Sequence, residues 1–189
     1  MSNTRSDILA AARGILAEHS LADLTMRRLA ADLGVRPNAL YWHFPNKQTM
    51  LAALAEDILA SIPGPSPDID WLTELHRLAT DLRAVLLAVP DSAEVVSSAW
   101  ASGLADRSIE KTIADVAARG QLSAQASSGL ATAICQLTIG LTIEEQTRTQ
   151  MERLGVTGSS GRVFSAEFDD ALDIILDGAR ARSEINTVA

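Results

Sequence analysis

Residues Leu24–Leu51 read LTMRRLAADLGVRPNALYWHFPNKQTML, and this stretch decides the fold around it. Thr25 is a good N-cap for a short helix running to about Leu33, with Leu29 and Leu33 turned inward. Gly34 stops that helix because it can take the left-handed conformation a tight turn needs. Pro37 suits a first helical turn, so a second helix is predicted over about Arg36 to His43. Phe44-Pro45-Asn46 breaks the chain again, and Asn46 can cap a further helix over about 46–61. Two short helices joined by Asp32-Leu33-Gly34-Val35, with the small Ala30 allowing a close crossing, have the dimensions of a helix-turn-helix. Leu29, Leu33, Val35 and Leu40 supply its buried seam. Pro37, Asn38, Ala39, Tyr41, Trp42 and His43 are left facing outward.

Charge says what an outward face of this kind meets. The 189-residue chain has a formal net charge of −8, which alone speaks against nucleic acid. The charge is unevenly spread, however. Residues 1–49 hold six Lys/Arg against four Asp/Glu, and residues 50–189 hold ten against twenty. Between 25 and 47 only Asp32 opposes Arg27, Arg28, Arg36 and Lys47. Short side chains allow close approach to base edges, while Tyr, Trp, His and Lys reach flanking phosphates. A solvated basic face and a helical hairpin buried in a core are the bland alternatives.

The remainder reads as helix throughout, so the fold class is all-α. Helical spacing covers about 4–19 through Ile8, Leu9, Ala12, Ile15 and Leu16. Pro63-Gly64-Pro65-Ser66-Pro67 is the clearest break, after which Asp68 or Asp70 caps a helix over about 68–89 that Pro90 ends. Helices follow over about 92–103 and 106–119, stopped by Gly103 and Gly120, then over about 123–154 and 164–183. The loop GVTGSSGR lacks the Lys-Ser/Thr ending of a phosphate-binding loop, and no strand precedes it. With 47% hydrophobic but only 4% aromatic residues, the core is aliphatic. No apolar run reaches the roughly 20 residues of a membrane span, and no signal-peptide pattern opens the chain. A single cysteine, Cys135, excludes an internal disulfide and suits a reducing cytoplasm. With three scattered histidines beside it, no metal site and no cofactor are expected.

The quoted stretch resembles the DNA-binding domain of the TetR family of transcriptional regulators. The pattern is met at Leu24, Thr25, Arg27, Leu29, Ala30, Leu33, Gly34 and Val35, then at Leu40, Tyr41, Trp42, His43, Asn46, Lys47 and Leu51. IGLTIEEQ (139–146) and FDDALDIILDGARA (168–181) are similar, more weakly, to helices of the family's C-terminal domain. The resemblance implies a DNA-binding domain at 1–47 and a helical effector-binding and dimerisation domain at 48–189. It implies that Arg27 reads a base from the first helix, with Pro37, Asn38 and Ala39 at base edges. Thr25, Tyr41, Trp42, His43 and Lys47 would hold the backbone, and we add Arg36 at the start of the second helix. Partners would be double-stranded operator DNA, a small-molecule effector and a second copy, joined through helices at about 123–154 and 164–183. The stripes Leu130/Ile134/Leu137/Leu141 and Phe168/Leu172/Ile175/Leu176 are expected to be too apolar for one copy to cover.

The tetracycline-responsive members of that family hold a magnesium-chelated drug with histidines, an asparagine and a phenylalanine. Those positions fall near Ile62 or Pro63 and at Leu78, Leu82 and Val96, and none keeps its type; Glu144 alone matches. An apolar effector pocket is therefore expected from Ile62, Trp71, Leu78, Leu82, Val96, Ala99 and Trp100, with Gln136, Thr138 or Glu144 anchoring a polar end. For any single leucine, plain core is the simpler reading. An enzyme is disfavoured. Glu144/Glu145 and Asp169/Asp170 are adjacent on helices and point apart, and no Glu-x-x-His spacing exists for a di-iron bundle. A helical interaction protein that ignores DNA is a third class, opposed by the Arg27/Tyr41/Trp42/His43/Lys47 set.

Overall fold

The computed structural model describes residues 4–188, and all regular elements among them are helices: α1 (Arg5–Glu18), α2 (Met26–Asp32), α3 (Pro37–Tyr41), α4 (Lys47–Leu59), α5 (Trp71–Leu87), α6 (Ser92–Ala101), α7 (Ser108–Ala118), α8 (Ala124–Arg153) and α9 (Phe164–Val188). They sort into two compact units, one made of residues up to Ser61 with Val85–Asp106, the other of Ile62–Ala84 with Arg107 onward. The division expected at 47/48 is the one the family resemblance implies. Packing divides the chain differently, because α4 packs on α1 and on α6 and so belongs with the basic stretch.

In the first unit, side chains cap the helices at the expected places. The Thr4 hydroxyl accepts from the Asp7 amide, Thr25 from Arg28, and Asn46 from Thr49 at 2.8 Å. At the end of α2 the amide of Val35 donates to the Ala30 carbonyl and that of Gly34 to the Ala31 carbonyl, with Gly34 at φ 66°. This is the reciprocal helix-ending pair that needs a left-handed residue between its two bonds. Leu24, Leu29, Ala30 and Leu40 are buried beneath it, joined by Phe44. Phe44 shortens α3. Its side chain is buried and Pro45 disfavours helical backbone before it, so the helix ends at Tyr41 rather than near His43. Arg13 ties α1 to Asp57 on α4 at 2.6 Å.

In the second unit the proline-rich linker is pinned rather than loose. The Arg77 guanidinium donates to the Gly64 carbonyl, the Glu74 carboxylate accepts from the Ser66 amide, and Arg119 donates to the carbonyls of Ser66, Pro67 and Ile69. Asp70 rather than Asp68 caps α5, accepting from the amides of Leu72 and Thr73. Glu74 is fully buried and meets Arg77 at 2.6 Å. The hydrogen bond from Arg77 holds its carboxyl below the ordinary 4.5, against burial, with help from the Ser66 amide and the charges of Arg77 and Arg119.

Three expectations need revision. α7 ends at Ala118, just before Gly120 as expected, but the left-handed residue there is Gln121, at φ 59°. Glycine is required at 120 because the Trp71 ring lies 2.4 Å from where a Cβ would stand. The last helix continues to Val188, as nothing in its sequence stops it at 183. And α8, whose eighteen-residue window reaches a mean hydropathy of 1.4, is by length and composition apolar enough to cross a membrane. Here it packs on α7 and α9.

Two stability predictions follow from these contacts. Gly120→Ala should cost about 1–3 kcal/mol by forcing Trp71 from its place, read as a fall in the urea midpoint. Glu74→Gln should cost about 2–3 kcal/mol at neutral pH. Because the folded Glu74 carboxyl titrates below its unfolded value, its contribution is complete above about 4.5 and is lost as pH falls further. Wild type and Glu74→Gln should accordingly converge in stability in acid.

Candidate nucleic-acid interface

The face formed by α2 and α3 carries the residues that the sequence singled out. Arg27, Arg36, Pro37, Asn38, Ala39 and His43 are exposed, and with them Tyr41 at 46% and Trp42 at 90% of full exposure. The two aromatics stand side by side in solvent among the cations. The short α3 begins on Arg36, whose backbone is extended and whose side chain does not cap the helix, and Pro37 fills the first turn. Leu40 is its one buried residue, so everything around Leu40 points outward.

Hydrogen bonding divides the set in two. Arg27, Arg36, Asn38, Tyr41, Trp42 and His43 have no side-chain partner within the described residues, so their donors and acceptors remain available. Thr25 and Lys47 are already engaged. The Thr25 hydroxyl caps α2 at 3.1 Å, and the Lys47 ammonium donates to the Leu21 carbonyl at 3.4 Å. Thr25 keeps a free hydroxyl proton, and the long lysine bond is readily exchanged for a phosphate. Two further cations nearby make contacts within the unit. Arg28 lies against the His19 ring, and Arg5 lies 5.2 Å over the Phe44 ring. Neither spacing stands out in sequence, since each pair is assembled by the turn after α1 or by the burial of Phe44.

The expected effector residues lie in both units. In the first, Val96, Ala99 and Trp100 are buried on α6. In the second, Leu78, Leu82 and Thr138 are fully buried, and Ile62 and Trp71 half-buried. Gln136 and Glu144 stand on the exposed side of α8, where Glu144 pairs with Arg162 at 2.9 Å. A cavity of about 650 Å³ in the second unit, lined by Leu122, Gly129, Leu130, Ile175 and Arg182 among others, includes none of the expected residues. Cys135 is buried, and burial pushes its thiol up to about 12, which leaves it unreactive. No group of three or more His, Cys, Asp or Glu able to hold a metal occurs among the described residues.

Comparison with known proteins finds likeness along most of the chain. The family described as bacterial regulatory proteins, tetR family, matches residues 8–54, and the tetracyclin repressor-like C-terminal domain matches 64–158. The body, where the sequence likeness was weaker, thus matches as well. The chain is 33% identical over 184 residues to the tetracycline repressor protein class C of Escherichia coli, spanning 92% of this chain and 82% of that protein. The crystal structure of Mycobacterium smegmatis BioQ is similar with a TM-score of 0.87 at 36% identity, over 95% of this chain and 99% of that one. BioQ bound to its double-stranded DNA operator matches with a TM-score of 0.81 at 35% identity over the same shares.

Arg27 is exposed and holds no partner, so Arg27→Ala should leave the melting temperature unchanged. Binding to a selected operator should weaken by about 1–3 kcal/mol, the worth of one bidentate base contact. Fluorescence anisotropy with a labelled duplex measures the loss, and unchanged affinity would remove Arg27 from the reading surface.

Proposed function

Because the chain belongs to the TetR family of bacterial regulatory proteins and is a DNA-binding transcriptional regulator, we propose that it is a repressor released from an inverted-repeat operator by a lipophilic small molecule. The observation that carries the DNA half is the partnerless face of Arg27, Arg36, Asn38, Tyr41, Trp42 and His43. Residues 1–47 are its DNA-reading part. Arg27 and the small side chains of Pro37, Asn38 and Ala39 meet base edges. Arg36, Tyr41, Trp42 and His43, with Thr25 and Lys47, hold the backbone. Residues 48–189 sense the effector and join two copies, and the protein acts in the cytoplasm.

The ligand half rests on residue type. Near Ile62 or Pro63 and at Leu78, Leu82 and Val96 this chain is apolar throughout, where tetracycline-responsive members of the family place histidines and an asparagine beside one phenylalanine; Ala99 adds to the apolar set. A polar chelated drug would lose its hydrogen-bond partners there. An apolar one would gain about 25 cal/mol per Å² of surface buried. Ile62, Trp71 and Trp100 remain candidate contacts, and Thr138, Gln136 or Glu144 remains the candidate for a polar end.

Dimerisation through α8 and α9 is supported by apolar surface left uncovered. Leu130, Ile134, Phe168, Leu172 and Leu176 are buried within their own unit, so most of the expected stripes are satisfied in one copy. What remains is Ile174, 74% exposed, the half-buried Leu137, Leu141 and Ile175, and the small exposed Gly129, Gly140 and Gly178, which let a partner helix come close.

One experiment tests the whole reading. Duplexes selected from a random pool should be inverted repeats, with affinity falling linearly in log–log against salt. Lipophilic compounds should release the DNA equally with and without a magnesium chelator. Magnesium-dependent release by tetracycline would sink the ligand assignment, and full-affinity binding of a monomer to a single half-site would sink the dimer.

A further inference from the structure

Asp91 is one of two non-glycine residues with a positive φ among those described, at φ 58° and ψ 4°. It stands at the N-cap position of α6, yet its carboxylate makes no capping bond to that helix. The carboxylate instead accepts from the amide of Leu21 at 2.7 Å, seventy residues away in sequence. Leu21 lies in the turn between α1 and α2. Its carbonyl is also held, by the Lys47 ammonium at the start of α4 and by the Leu24 amide. Both backbone polar groups of Leu21 are thus held by side chains from other elements of the same unit, the amide by Asp91 and the carbonyl by Lys47. An aspartate that strains its backbone and gives up its own helix cap is obtaining something elsewhere.

We infer that Asp91 is a positioning residue for DNA binding, tying the start of α6 to the turn that launches α2. Four residues after Leu21, Thr25 caps α2, and Arg27 follows in its first turn. A shift of the Leu21 peptide is therefore delivered to the arginine expected to read a base, and also to Lys47. The DNA part of the inference rests on the function proposed above; the tie does not.

Three variants test it. Asp91→Gly removes the carboxylate and relieves the left-handed strain, so its melting temperature should equal or exceed that of wild type, while operator affinity drops by about tenfold or more. Asp91→Asn keeps an acceptor oxygen and tolerates the left-handed region, so it should restore affinity to within about threefold. Lys47→Met should weaken binding with little further loss when combined with Asp91→Gly. In protein without DNA, hydrogen exchange at the Leu21 amide should quicken by about tenfold in Asp91→Gly and not in Asp91→Asn. A merely structural role would lower melting temperature and affinity together. Wild-type affinity in Asp91→Gly, or equal losses in Asp91→Gly and Asp91→Asn, would overturn the inference. Unchanged Leu21 exchange would overturn the tie itself. If exchange responds as expected while wild type retains no duplex, the tie stands and the DNA-binding reading fails.

Discussion

The reversal at Gly34 is the constraint from which the rest of the DNA-facing surface follows. Its positive φ lets Val35 and Gly34 return their amides to Ala30 and Ala31, closing α2 and aiming α3 across it. With α2 closed there, Leu40 falls into the seam, and α3 has no alternative but to present Arg36, Asn38, Tyr41 and Trp42 to solvent. A residue with a Cβ at that turn would strain the backbone that fixes this geometry. The exposed aromatics are thus a consequence of one backbone angle and a handful of buried leucines.

Electrostatics separates the two parts of the chain by use as well as by count. In the second unit, Arg77, Arg83, Lys111, Arg148, Arg162 and Arg180 each meet a carboxylate, and Arg119 meets carbonyls. On α2 and at the start of α3, Arg27 and Arg36 meet none among the described residues. A chain with a net charge of −8 can present a cationic face because most of its acids lie outside the first 49 residues and many hold partners of their own.

Local chemistry was legible, and long-range assembly was not. Caps at Thr25 and Asn46, the left-handed Gly34 and the proline at the start of α3 are decided within four or five residues, and the sequence displays them. The length of α3 was misjudged because it turns on Phe44, whose burial depends on the other helices of its unit. Gly120 was taken for a stop, and its missing side chain also serves Trp71, forty-nine residues away in the chain. Pro90-Asp91-Ser92 reads as an ordinary helix start, and no periodicity reveals that its carboxylate belongs to Leu21. The apolar character of Leu78 and Leu82 was visible, whereas the surface position of Gln136 and Glu144 depended on which side of α8 packs inward.

The pinned linker has a mechanical meaning. α4 ends at Leu59 with Ala60 as its cap, and the Gly64 carbonyl is already in the grip of Arg77. Ser61, Ile62 and Pro63 alone lie between, and the Ser61 hydroxyl folds back onto the Ile58 carbonyl. Such a tether spans at most about 10–14 Å when fully drawn out. A proline-rich segment of nine or ten free residues would absorb a displacement; this one, held at 64, 66, 67 and 69, has almost no slack with which to do so. The end of α4 is on a short lead.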